Sequence, residues 1–379
     1  MVRNVANGVT GGIGSMRYSE NNVAKNIPVA YVVENGITHL VFEEDSGTVA
    51  QYGKTLNLAT ARTGSVAENA GDNYLLIAGG RDASGNHLKT VETINGSLTL
   101  GTAASTDFVL ESSNDMLKHT RTSTHALFFG DSSSSEAVNV YDSSLTKTTP
   151  HSFYGSDSMI SGAHLNGKAY VLWEYMCNVL DDAMTVTASE YTALYMDADN
   201  AEAVSMLDHI LVSSYYNSNG AYVSHVVSID ESLTMTDVGD LTLARYNVTG
   251  AYNGSCALFA GGYSLDGRSA YYSAVDAFNN SLTKVAASDL SVARYSIGAT
   301  RLENYAIFAG GYSESSTAYL SHSEVDMYDK ALTKQSVAAL PEKKHLPASG
   351  TVGNHAVFAG GYTTGFTATK TITIYDLQK

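Results

Sequence analysis

Three arginines, Arg62, Arg245 and Arg294, and the basic pair Lys344-His345 hold corresponding places in a 379-residue chain. Three tyrosines, Tyr263, Tyr312 and Tyr362, each close the pentapeptide FAGGY and stand 49 and 50 residues apart. A guanidinium fork suits a carboxylate, and a tyrosine face suits a sugar ring or an apolar side chain. Arg62, Arg245, Arg294, His345, Tyr263, Tyr312 and Tyr362 therefore describe a mouth that binds a peptide carboxylate or a glycan. A second reading of the arginines stays open. Arg245-Tyr246 and Arg294-Tyr295 also recur if every repeat needs them, with each Arg pairing to a neighbouring repeat.

Other chemistry has less support. The 11 histidines are scattered with no close pair. His39, His125, His209 and His355 share one place, two or three residues before an apolar marker, which reads as structural. No phosphate-cradling loop, zinc spacing or nucleophile elbow is present. The stretch NGVTGGIGSM (7–16) is Gly-rich but has no strand-then-helix context for a dinucleotide. The expectation is thus no cofactor, no metal and no assigned catalytic residue, although a site assembled across repeats leaves no linear signature. Cys177 and Cys256 read as small buried residues and not as a disulfide framework.

A net charge of −16 with no basic tract argues against nucleic acid and anionic lipid as partners. Only 16% of residues are charged, so Ser, Thr, Asn, Gly and 25 tyrosines must fill much of the surface. The first 22 residues lack an apolar core of a signal peptide, and no stretch approaches the ~20 apolar residues of a membrane span. The expectation is a soluble, monomeric protein without membrane insertion, either cytoplasmic or associated with a surface or virion.

The elements that must position these residues follow from a repeat. Apolar segments ending in Gly-Gly read LLIAGG (75–80), ALFAGG (257–262), AIFAGG (306–311) and AVFAGG (356–361). Weaker copies are HLVFEE (39–44), ALFFGD (126–131), AYVLWE (169–174) and HILVSS (209–214). The third apolar position gives eight markers: Val41, Ile77, Phe128, Val171, Leu211, Phe259, Phe308 and Phe358. A short strand, a turn and a Leu-Thr-like pair follow, as in VNVYDSSLTK (138–147) and VDMYDKALTK (325–334). The apolar runs predict strands covered on both faces, and the alternating ones predict strands nearer the outside of a sheet. No sustained 3.6 period appears, so helix content should be very low.

Four antiparallel strands in a unit of 40–50 residues, repeated many times, predict a β-propeller. Eight blades are expected, with seven as the alternative, in one domain spanning 1–379. The last blade lacks a fourth strand, which segment 1–26 is expected to supply by closing the ring. Gly-Gly is expected at the end of a strand near the crowded axis, where a Cβ would clash or forbid the backbone needed to enter the next loop.

At this point the chain resembles the kelch family of propellers. The resemblance rests on Gly79-Gly80, Gly261-Gly262, Gly310-Gly311 and Gly360-Gly361, with a third-strand aromatic at Tyr52, Tyr141, Phe278, Tyr328 and Tyr375. It is specific over 240–379 and looser over 130–235. The family's fourth-strand Trp is missing, and Leu145, Leu233, Leu282 and Leu332 sit near its place. The resemblance implies that the loops after Gly-Gly and the Arg-bearing entries open on one face. Those loops vary and are rich in Tyr, Ser, Gly and Asn, a mixture suited to recognition. The style of the chain resembles bacterial or prophage-derived proteins, as in an adhesin or a phage-tail component.

Two functions follow. One is a non-enzymatic module binding a protein, peptide or glycan through the loop-rich face. The other is a carbohydrate-active enzyme, oxidase-like or a sugar isomerase, with its site at the axis. Convergence of two or more acidic or His side chains at the axis would favour the enzyme.

Overall fold

The structure, a computed structural model, describes residues 2–5, 9–20, 23–34, 37–42, 48–107, 118–129, 138–148, 159–173, 176–191, 201–218, 221–264, 270–315 and 318–378. Side chains are described from residue 49 onward, apart from 159–160, 191, 215–218 and 221–222. Every described element is a β-strand. Among the described residues no helix is long and apolar enough to cross a membrane.

The chain forms two units, 1–49 with 377–379, and 50–376. In the first, strands Val2–Val5, Val9–Glu20, Val23–Glu34 and Ile37–Phe42 pair in sequence order as an antiparallel meander.

The second unit is a ring of four-stranded antiparallel blades. Its innermost strands are Val66–Ala70, Lys118–Arg121, Met159–Leu165, Glu202–Ser205, Thr249–Tyr252, Gly298–Leu302 and Ala348–Val352, each touching the next and the last touching the first. We number the blades 1 to 7 in that order. The chain steps outward from each inner strand to the edge of its blade. The lower of the two expected counts is therefore the one observed, a seven-bladed β-propeller. Seven markers, Ile77 to Phe358, lie on second strands, whereas Val41 lies on Ile37–Phe42 of the N-terminal meander.

Blade 7 is completed by chain that precedes blade 1. Residues 50–51 belong to the strand that pairs outside Thr369–Gln378, and Tyr52 N donates to Ile374 O at 2.8 Å. The closing strand is thus Thr48–Gln51. The described residues of segment 1–26 lie in the first three strands of the N-terminal meander.

Three sequence signals explain the blades. The second-strand Phe and third-strand aromatic of one blade meet edge to face: Phe128–Tyr141, Phe259–Phe278, Phe308–Tyr328 and Phe358–Tyr375, with centroids 5.9–6.2 Å apart. All eight rings are fully buried. Tyr141, Tyr328 and Tyr375 donate their hydroxyls to Ala104 O, Ser288 O and Ala338 O.

The turn signals hold as well, with a difference at Leu. Asp142 Oδ1 accepts from Ser144 N and Thr146 N, both at 2.8 Å, and the same side-chain turn recurs at Asp181, Asp230 and Asp329. Leu145, Leu233, Leu282 and Leu332 take up the left-handed position of this turn, with φ of 59–63°. They therefore end the turn and do not occupy the fourth strand. Burial of the side chains against the blade cores offsets a conformation usually left to Gly.

Gly-Gly stands where a Cβ would clash, and the atoms it would meet belong to the next blade. A Cβ on Gly261, Gly310 or Gly360 would lie 2.4–2.5 Å from the carbonyl oxygen of Arg294, Lys344 or Arg62, the basic residue leading into the next blade. Gly262 N, Gly311 N and Gly361 N donate to those same oxygens at 2.8–3.0 Å. The pair is a staple between consecutive blades. Gly361 to Arg62 is the staple that closes the ring.

Candidate functional site

The arginines expected at the mouth are inside the blades. Arg62, Arg245 and Arg294 are 0–1% exposed. Each reaches an acid on the third strand of the blade it introduces: Glu92 at 2.7 Å, Asp276 at 2.5 Å and Asp326 at 2.8 Å. The remaining guanidinium donors go largely to backbone carbonyls, such as Thr90 O and Gly79 O for Arg62 and Gly261 O for Arg245. Burial alone would raise the Asp276 carboxyl. Hydrogen bonds from Lys284 and Thr242, with the Arg245 charge, hold it below its ordinary range instead. In blade 7 Lys344 takes the arginine's place, bonding Thr371 Oγ1 at 2.9 Å, and burial lowers its ammonium to about 8. These groups are struts inside the blades.

The aromatic residues come together. Tyr263, Tyr312 and Tyr362 pair through their backbones with Tyr246, Tyr295 and His345, the residues that follow each basic strut. Rings then connect across three blades: Tyr246–Tyr263 at 5.0 Å, Tyr263–Tyr295 at 4.7 Å, Tyr295–Tyr312 at 5.4 Å, Tyr312–His345 at 4.9 Å and His345–Tyr362 at 5.4 Å. Tyr271 stacks on Tyr295 at 5.7 Å. Thr63 and Arg81 hold the corresponding places in blade 1, so the aromatic seam stops there.

The seam rises to a crest that sequence reasoning did not single out. Phe366 and Tyr319 are 48% and 57% exposed, and beside them Leu320 is exposed too. Phe366 touches Tyr312, Tyr319, Tyr362 and His345 with centroids 5.6–5.8 Å away, in a turn with its φ at 58°. A bulky side chain on a left-handed backbone is uncommon, and four rings hold this one in place. His345 is buried, its Nδ1 bonded to Ser321 Oγ at 3.0 Å, and burial with the His322 charge lowers it to about 4. Residues 265–269 and 316–317 of the variable loops lie outside the described residues.

A second polar cluster lines the inner strands of blades 1 to 4. His119 Nδ1 bonds Glu68 Oε2 at 2.9 Å, and Arg121 Nε lies 4.0 Å from Glu68 Oε1. Arg121 Nη2 lies 3.3 Å from His164 Nε2, and His164 N donates to Ser205 Oγ at 3.0 Å. Burial opposes ionisation of Glu68, but the hydrogen bond and charge of His119, with Arg121, bring it down to about 2. Burial and the Arg121 and Arg301 charges bring His164 down to about 4. Glu202, half-buried and accepting from Gly250 N at 2.7 Å, is raised to about 7 by desolvation. Two histidines and a glutamate thus converge at the axis, from inner strands that sequence reasoning left unassigned. Among the described residues no group of three His, Cys, Asp or Glu side chains is arranged to hold a metal ion. Cys177 and Cys256 are both buried and unbridged.

No protein-family model matches the chain, and no curated protein matches it. Among solved structures it is similar to the one titled "Structure of YjhT", with a TM-score of 0.54 at 13% identity, covering 84% of this chain and 96% of that one. That likeness shows the fold alone. The kelch resemblance rests on the residues quoted above.

Proposed function

We propose that the chain is a recognition module that binds a protein, peptide or glycan through the aromatic seam of blades 5 to 7. The observation that carries this reading is the crest, where Phe366 and Tyr319 present large apolar faces to solvent on a connected bed of rings. Ordered aromatic rings supply contact area at low conformational cost. Because Arg62, Arg245 and Arg294 are spent inside the blades, sugar rings and apolar side chains suit the seam better than a peptide carboxylate. An adhesin or a tail-associated protein is the kind of setting in which such a module serves. The test is a glycan and peptide array probed with the purified chain and with Phe366→Ser. A captured ligand that the variant releases, without turnover, supports the reading. Ligands held equally by both proteins refute it.

A second reading, a carbohydrate-active enzyme with an axial site, is favoured by the convergence of Glu68, His119 and His164. Release of a chemically changed glycan from the array, lost in His119→Gln and kept in Phe366→Ser, would support that reading over the first.

A further inference from the structure

The inner strands are alike in backbone and unlike in charge. Those of blades 1 to 4 carry Glu68, Lys118, His119, Arg121, His164 and Glu202. Those of blades 5 to 7 carry Thr, Gly, Ala and Ser over 249–251, 298–300 and 348–351, with Arg301 their one charged side chain and Thr300 and Thr351 joined hydroxyl to hydroxyl at 2.9 Å. In a repeat protein, side chains that hold the scaffold recur from unit to unit, as the arginine struts and Phe–Tyr pairs do here. Ionisable side chains gathered on four inner strands, facing three that carry Arg301 alone, are a departure from the repeat.

The cluster is ordered around Glu68. Its two oxygens face His119 and Arg121, which stand two residues apart on one strand and so project to the same side. The side chains of His119 and Arg121 are 35% and 27% exposed. His119 spends Nδ1 on Glu68, so its Nε2 is left to the channel. Arg121 spends Nη2 on His164, whose ring is in turn held by Ser205. This leaves Arg121 Nη1 and His119 Nε2 on two side chains that project to the same side of one strand. A guanidinium is matched by a carboxylate. The imidazole nitrogen opposite the carboxylate-bound Nδ1–H exchanges a hydrogen bond with a hydroxyl, which can donate or accept. Glu68 stays ionised through the neutral range, so it does not take the anion itself and serves to fix both donors.

We infer that the axial channel holds a second site, separate from the aromatic seam, for a small hydroxycarboxylate. Arg121 takes the carboxylate, His119 Nε2 takes the adjacent hydroxyl, and Glu68 is a positioning residue for both. The site requires neither turnover nor a ligand on the loop face.

Glycolate and acetate are the probes, and the Cε1–H resonance of His119, in protein labelled at histidine and assigned with His119→Gln, is the readout. Saturable shifts with glycolate bound more tightly than acetate are expected. Arg121→Gln should weaken glycolate by about 10-fold or more, as expected on losing a charge-assisted pair. Glu68→Gln should weaken glycolate and erase its advantage over acetate, and Phe366→Ser should change neither. Circular dichroism of each variant, matching that of the parent, excludes misfolding as the cause. The inference is overturned if glycolate up to ~50 mM, far above the Kd of a built site, gives no saturable shift. It is equally overturned if Arg121→Gln binds glycolate as the parent does. Loss of array binding by the loop face would leave this result untouched, so the two proposals fail separately.

Discussion

Replacing Arg294 by Met separates a strut from a ligand contact. Arg294 Nη2 lies 2.8 Å from Asp326 Oδ2, with side chains 0% and 2% exposed. Methionine keeps most of the apolar stem and removes the charge, so Asp326 is left buried without one of its two cationic partners. Removing one member of a buried pair costs about 3–5 kcal/mol when the other is stranded. Asp326 is not wholly stranded. It keeps Lys334 at 2.8 Å and the Ser291 N–H and hydroxyl at 3.0–3.1 Å. The low end, about 3 kcal/mol, is therefore expected. With a urea m-value near 3 kcal/mol/M, that moves the unfolding midpoint down by about 1 M. Adding Asp326→Asn to the variant should recover part of the loss, because the orphan charge is gone. Equilibrium urea unfolding followed by tyrosine fluorescence measures both. A loss under about 1 kcal/mol, the range of exposed pairs, together with loss of ligand binding, would refute the strut assignment and return Arg294 to the mouth.

Two further outcomes follow from the same structure. Gly360→Ala places a Cβ 2.5 Å from Arg62 O at a φ of 66°, whereas Gly365→Ala meets nothing within 4 Å at a φ of 93°. The first should destabilise by about 3 kcal/mol or more and the second by about 1, read as urea midpoints, since only the first adds overlap at the ring-closing staple to backbone strain. His345, lowered to about 4 by burial and the His322 charge, stays neutral in the fold while the unfolded chain takes up a proton near pH 6.5. Its contribution is complete above that pH and is lost as pH falls from about 6.5 to 4, by roughly 3 kcal/mol. His345→Gln should flatten this part of the stability profile, and an unchanged slope would remove His345 as its source.

Much of the propeller was legible because blades repeat. Apolar runs, Asp-led turns and Gly-Gly marked the strands, and seven of eight markers fell on second strands. The eighth, Val41, carried the same alternation into a different sheet, since periodicity reports a strand and not its neighbours. The arginines show the limit for function. Type and spacing were read correctly, but a residue's direction is set by its partner, and Glu92, Asp276 and Asp326 lie about 30 residues further on. Tyr263, Tyr312 and Tyr362 were legible as a set because they repeat. Phe366 was not, because it occurs once, in a turn. Glu68, His119, Arg121 and His164 meet only after inner strands from three blades close on one axis, and no spacing in the chain records that.

The most direct measurement of the central claim is the dissociation constant of an array-identified ligand for the parent chain and for Phe366→Ser. The seam predicts a loss of about 30-fold, the size of an exposed aromatic anchor's truncation, with the urea midpoint unchanged. Equal affinities would contradict it and move recognition away from the aromatic face.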